Sequence, residues 1–201
     1  MQLIMSPASP FVRTVRVMLR ETGLIDRVEE VAVATSPLAS AAEALAANPT
    51  GKIPSLTRAD GPAIYDSRVI TRYLDDMADS NLYPQTSLYE VLTLEATANA
   101  IMDATVSMSY EVRLRPENEQ SSDWIEAQWG KASAGISAIN ARWMSHLNGP
   151  LNMAQIATSC ALGYIDLRHD ARNWRNGNEA LSKWQETFEA RPSMQATKPE
   201  V

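Results

Sequence analysis

Apolar positions recur with two different periods along this chain, and the change from one to the other divides it. Gln2 to Met5 is a short apolar run that reads as a strand. Two Ser-Pro steps follow, in Ser6-Pro7-Ala8-Ser9-Pro10. Phe11, Val15, Met18 and Leu19 then fall at i, i+4, i+7 and i+8, the spacing of one buried helical stripe. Gly23 stands where a helix C-terminus takes a left-handed residue, and Val28 to Val33 supplies the β-branched residues of a second strand. The alanine-rich stretch Leu38 to Ala47 predicts a short helix, stopped by Asn48-Pro49-Thr50-Gly51. Ile53 to Thr57 and Ala63 to Tyr65 predict two strands around a hairpin connection at Asp60-Gly61. Asp66-Ser67 opens a helix from Arg68 to Met77, with Val69, Ile70, Tyr73, Leu74 and Met77 on one face. The order βαβαββα over residues 1–78 predicts a small α/β domain.

Residues 79–87 include Asn81, Pro84, Gln85 and Thr86 without periodicity, the composition of a linker, and beyond them the strand signals stop. Leu94, Ala98, Ile101, Thr105, Met108 and Val112 step by four and three up to Pro116. Ile125, Trp129, Ala132, Ile136, Ile139 and Trp143 repeat the pattern up to Gly149-Pro150, which predicts a hairpin of two long helices. Asn152 and Gln155 have the residue types of a capping box before the apolar run Ile156 to Leu167. A last helix around Glu179 to Ala190 carries Leu181, Trp184 and Phe188 and is terminated by Arg191-Pro192-Ser193. Residues 88–201 thus predict an all-helical C-terminal domain.

Composition narrows the function classes. With 201 residues, 45% of them hydrophobic, the chain can bury a substantial core. A net charge of -6 opposes a phosphate-tracking groove, so nucleic acid is not an expected partner. Cys160 is the only cysteine, which excludes an intramolecular disulfide and any CxxC motif and points to a reducing, cytoplasmic setting; inside an apolar helix it reads as a small core residue. His146 and His169 lack metal-ligand spacing, so no metal is expected. The opening MQLIM is too short for a signal core and no run of ~18 apolar residues occurs, so neither export nor a membrane is expected.

Three features carry candidate chemistry. Ser9 precedes Pro10, and proline favours the first helical position, so Ser9 reads as an N-cap. No histidine lies in this domain and no GxSxG surrounds Ser9, so the serine acts, if at all, as a hydrogen-bond donor rather than a nucleophile. Pro54 opens a strand. A cis Ile53-Pro54 bond would turn the Ile53 backbone outward to pair with an extended peptide, while a trans proline on an edge strand satisfies the local sequence equally. At Asp66-Ser67-Arg68, Ser67 reads as a second N-cap whose neighbouring N–H groups suit a carboxylate, with Asp66 placed to accept from an ammonium group; a plain helix cap accounts for the same residues. Tyr110, Arg113 and Arg115 read as a solvated helix end and receive no role.

As an ordered set, these motifs resemble the glutathione S-transferase family: a strand, Ser-Pro at a helix start, NPTGKIP, a hairpin, an Asp-Ser helix start, then helices with Asn152-x-x-Gln155 and Gly163-Tyr164-Ile165-Asp166. The resemblance, to bacterial members of serine type, implies a thioredoxin-like N-terminal domain that binds glutathione as co-substrate. It implies a helical C-terminal domain that helps to form the pocket for a small electrophile, and a homodimer. By position it makes Ser9 the catalytic residue, with Ser6 a second candidate for the thiol contact. Ile53 becomes the residue before a cis-proline, Asp66 and Ser67 the pair that holds the γ-glutamyl end, and Lys52 a partner for the glycine carboxylate.

Two departures qualify the implied activity. Gln155 replaces the aspartate of many relatives, which predicts a weaker cap. With no cysteine near Ser9, a mixed disulfide with glutathione cannot form there, which favours conjugation, peroxidase or related addition chemistry over thiol transfer. A non-catalytic binding or regulatory module, and a glutathione-dependent peroxidase or disulfide reductase, are the alternatives to conjugation.

Overall fold

The computed structural model describes residues 1–199, which divide into two compact units: Met1–Pro84 with the segment from Arg191, and Gln85–Ala190. In the first, Gln2–Met5 (β1) is the central strand of a three-stranded sheet. It pairs in parallel with Glu29–Ala32 (β2), from Gln2 opposite Glu29 to Met5 opposite Ala32. It pairs antiparallel with Ser55–Thr57 (β3), from Gln2 opposite Thr57 to Ile4 opposite Ser55. A parallel neighbour requires a crossover, and Pro10–Glu21 (α1) supplies it.

Strand alternation sorts the core. Ile4 packs with Ala44 and Ala47 of Ala42–Ala47 (α2), joined by Val31, Val33, Ile53 and Ala63. Leu3, Met5 and Leu56 are also buried, and α1 and Ser67–Ala78 (α3) pack against each other, with Val15, Met18, Leu19, Ile70 and Leu74 among their buried residues. Each such side chain contributes about 1.5–3 kcal/mol on burial.

Three boundaries differ from the sequence expectation for local reasons. The short helix begins at Ala42 rather than Leu38, because Ser36 Oγ and Thr35 Oγ1 capture the N–H groups of Ala39 and Ala41. The predicted fourth strand is reduced to a single bridge between Leu56 and Ile64, closed by two 2.9 Å bonds. The cap of α3 is Asp66, not Ser67: its carboxylate accepts from the Arg68 N–H at 3.0 Å, and Ser67 becomes the first helical residue.

The second unit is helical. Leu88–Leu114 (α4) lies along both Ser122–Arg142 (α5) and Met153–Arg168 (α7), with Met144–Leu147 (α6) and Glu179–Glu189 (α8) completing the bundle. Every residue from Met153 to Ile165 is buried, Cys160 among them, which makes α7 the core helix of this unit. After α8 the chain returns to the first unit as Pro192–Gln195 (α9), where the sequence reading has only a terminator; Pro192 does end α8, but as the first residue of a new turn. No helix of the described residues is long and apolar enough to cross a membrane.

Candidate functional site

Topology brings the three sequence motifs to one end of the sheet. Ser9 follows the C-terminal end of β1. Because β3 runs antiparallel, with Ser55 opposite Ile4, Ile53 and Pro54 lie just beyond the same end. The bridge from Leu56 to Ile64 reverses the chain again, so Asp66 and Ser67 come back level with Pro54. Two peptide bonds in these segments are cis, Ile53-Pro54 and Tyr65-Asp66. The proline isomer left open by the local sequence is therefore the one that the family resemblance implied.

Ser9 caps α1. Its N–H donates to Ser6 O at 3.1 Å, its carbonyl accepts from the Arg13 N–H at 3.0 Å, and its Oγ accepts from the Val12 N–H at 3.4 Å. The last distance is at the limit of a hydrogen bond, so the hydroxyl is only loosely committed to its own backbone. No acidic residue occupies the first turn of α1, leaving the positive end of the helix dipole uncompensated by side-chain charge.

The loop before β3 is organised by a residue that the sequence reading treated only as a helix stop. Asn48 is buried. Its Oδ1 accepts from the Thr50 N–H and Oγ1, and its Nδ2 donates to Lys52 O at 3.1 Å. Ser55 Oγ donates to the same carbonyl, so the backbone of Lys52 is held while its side chain is exposed. The Asn-Pro-Thr-Gly turn signature was the signal for this role. Gly51, at φ +66°, is required here: a Cβ would lie 2.5 Å from Ser40 Oγ.

At the third motif Ser67 is buried and Asp66 exposed. Burial pushes the Asp66 carboxyl up, but the Arg68 guanidinium at 3.0 Å and two backbone N–H groups outweigh it and hold the group below its usual range. Arg68 stands in the third sequence motif, where the sequence reading gave it no role of its own. In the helical unit, Arg115 contacts Glu119 O and Glu111, and Glu111 accepts from the Ser121 N–H, so Arg115 helps to close the end of α4. Burial raises the Tyr110 phenol above its ordinary value. Among the described residues no three His, Cys, Asp or Glu side chains are grouped to hold a metal ion.

The sequence matches the family model "Glutathione S-transferase, N-terminal domain" over residues 8–77 and "Glutathione S-transferase, C-terminal domain" over residues 122–186. The chain belongs to the glutathione S-transferase family. It is 30% identical to the uncharacterized GST-like protein YibF of Escherichia coli (strain K12), over 99% of this chain and 98% of that one. A glutathione transferase family member from Pseudomonas fluorescens Pf-5, crystallised with bound glutathione, shares 40% identity and superposes with a TM-score of 0.97, covering 100% of this chain and 99% of that one. A glutathione S-transferase from Methylobacillus flagellatus KT with glutathione bound shares 33% identity, with a TM-score of 0.85 and 99% of both chains covered.

Within this glutathione S-transferase family member, the α7 cap corrects the expectation of weakness drawn from Gln155. Asn152 Oδ1 accepts from the Ala154 and Gln155 N–H groups, and Gln155 Oε1 accepts from the Asn152 N–H at 2.8 Å, so the capping box is complete. Gln155 Nε2 also donates to Leu147 O at 2.8 Å and Gly149 O at 3.1 Å. An aspartate has no donor for either bond.

Proposed function

We propose that this protein is a glutathione transferase that binds glutathione in the N-terminal unit and activates its thiol as thiolate for attack on a small electrophile. The observation that carries the reading is the convergence of the Ser9 cap, the cis Ile53-Pro54 bond and the Asp66-capped start of α3 at one end of the sheet. Support comes also from the relatives crystallised with glutathione.

Glutathione would lie extended along this edge. The main chain of Ile53, beyond the last ladder pair at Ser55, pairs with its peptide as an added strand would. Its γ-glutamyl carboxylate meets the Ser67 hydroxyl at the positive end of α3, and its ammonium meets Asp66. The Asp66–Arg68 pair is about half exposed on both sides, a setting in which ion pairs contribute only ~0–1 kcal/mol, so a ligand ammonium displaces Arg68 at little cost. Lys52 supplies an ammonium for the glycine carboxylate.

The thiol then lies at the N-terminus of α1. A thiol of pKa ~8.5 must fall by ~1.5 units to be half ionised at neutral pH, about 2 kcal/mol of preference for the thiolate. A charge-assisted bond from Ser9 Oγ contributes ~1.5–3 kcal/mol and the helix end about 0.3–1, which together suffice without a general base. In the cap Ser9 Oγ only accepts, from the Val12 N–H, so that contact does not use the hydroxyl's own proton, which is left to donate to the thiolate. The thiolate attacks the electrophile, forms the S–C bond and expels the leaving group, with the thiol proton passing to solvent.

Calorimetric titration of glutathione and conjugation of an activated aryl halide test this reading together. Ser67→Ala is expected to weaken glutathione binding. Ser9→Ala should leave binding in place and lower kcat/KM about 10- to 150-fold, the loss of one charge-assisted bond. No binding at millimolar glutathione would sink the proposal, and unchanged conjugation in Ser9→Ala would move the thiol contact to Ser6. A homodimer is also proposed, in keeping with exposed apolar side chains such as Val69 and Tyr89. Equilibrium sedimentation at the 22.1 kDa chain mass rather than twice it would refute that part.

A further inference from the structure

Two separate contacts hold α9 to α1, one at each end of α1. Arg13 is one turn into α1 and only 1% exposed, an unusual place for a guanidinium. Its backbone N–H donates to Ser9 O at 3.0 Å and so closes the first turn on the capping residue. Its Nη2 donates at 3.1 Å to Met194 O, 181 positions further along the chain. That carbonyl lies in the last turn of α9, the negative end of the helix, where it also accepts from the Thr197 N–H and hydroxyl, each at 3.3 Å.

At the far end of α1, Glu21 receives Arg191 through Nε at 2.9 Å and Nη2 at 2.8 Å, together with the Ser193 hydroxyl. The bond from Arg191 outweighs burial and, with Ser193, keeps the Glu21 carboxyl below its ordinary range. The paired geometry fixes direction as well as distance. The first and last turns of the helix that Ser9 caps are thus both tied to the segment from Arg191 to Met194.

We propose that Arg13 is a positioning residue for the thiol end of the glutathione site: by tying the turn that closes on Ser9 to the Met194 carbonyl, it sets where the Ser9 hydroxyl points. The inference rests on the role proposed for Ser9 above. Its physical basis is that Ser9 Oγ is held by its own cap only at 3.4 Å, so the hydroxyl direction depends on the tilt of the whole first turn. Hydrogen bonds weaken steeply as they bend, and a misplacement of ~1 Å can cost ~100-fold in rate.

The test compares wild type, Arg13→Met, Arg13→Lys and the double variant Glu21→Gln with Ser193→Ala, each confirmed folded by circular dichroism. Glutathione binding is measured by calorimetry, and the thiol pKa in the complex by ultraviolet thiolate absorbance against pH. Arg13→Met is expected to lower kcat by ~10- to 100-fold and raise the thiolate midpoint, with KM for glutathione within about twofold of wild type. Arg13→Lys, which keeps a charged donor, should recover part of the loss. The double variant leaves Arg13 in place but loosens α9, and should raise the midpoint by a smaller amount; it decides the matter if Arg13→Met does not fold. A thiolate midpoint unchanged in the folded variants, while Ser9→Ala shifts it, overturns the positioning role alone. Absence of glutathione binding by the wild type overturns the proposed function and this inference with it.

Discussion

Gln155→Glu exchanges one side-chain nitrogen for an oxygen and keeps the shape of the residue, so it isolates what the amide does at the start of α7. In the native cap, Oε1 accepts from the Asn152 N–H, while Nε2 donates to Leu147 O at 2.8 Å and Gly149 O at 3.1 Å. The substitution preserves the first bond. It turns the other two into contacts between a carboxylate oxygen and two carbonyl oxygens at a position 3% exposed. Leu147 O keeps the bond from Trp184 Nε1 and Gly149 is exposed, so the predicted loss near neutral pH is that of one unsatisfied buried polar group, about 1–3 kcal/mol. For a chain of this size, that corresponds to ~2–12 °C in the melting midpoint.

The loss should depend on pH with a definite sign. Burial and the facing carbonyls raise the introduced carboxyl above its unfolded value of about 4.3. The folded state then binds the extra proton, and stability falls as pH rises. When protonated, the group has one O–H to donate and recovers one of the two bonds. Urea unfolding at pH 5 and pH 8 checks this, and the difference from wild type should be larger at pH 8. A variant as stable as wild type at pH 8, or a deficit that grows on acidification, would refute the assignment of the two Nε2 bonds.

Two further outcomes follow from the first unit. Gly51→Ala introduces both a left-handed alanine and a Cβ 2.5 Å from Ser40 Oγ; it should cost at least ~1 kcal/mol in urea unfolding and weaken glutathione binding through the Lys52–Ile53 loop, and unchanged affinity would separate that loop from the site. On the acid side, burial pushes Glu30 up, but bonds from Arg16 at 3.0 Å and Arg20 at 2.8 Å prevail and hold its pKa below the ordinary 4.5. A carboxyl lowered in the folded state stabilises above its unfolded value and loses that contribution as pH falls through the folded one. The urea midpoint should therefore drop below pH 4.5, with a shallower slope in Glu30→Gln; equal slopes would show that the pair contributes nothing.

Much of the fold was legible because its signals are local. β1 is bounded as its apolar run predicts, and α1 begins at Pro10 because Ser9 and Pro10 suit the cap and first positions. Gly23 does adopt a positive φ, and the capping box at Asn152 forms with the residue types that announced it. Such signals act within one helical turn. Even at that range, competing local bonds changed the outcome: Thr35 and Ser36 delay α2, and the Asp66 carboxylate takes the cap that the sequence reading gave to Ser67. Both residues have the chemistry for it, and backbone geometry chose between them.

By itself, then, the sequence determined the period of each element, most of the caps, and the order of motifs from Ser9 through Ile53-Pro54 to Asp66-Ser67. Only the tertiary structure decided that β3 runs antiparallel beside β1 and so gathers those motifs at one sheet end. It alone buried Arg13 against Met194 and paired Glu21 with Arg191, returning the end of the chain to the first unit. The reason is range: a cap or an apolar stripe is stabilised by residues within a few positions of it. A buried guanidinium that depends on a carbonyl 181 positions away leaves no periodic trace in the sequence around it.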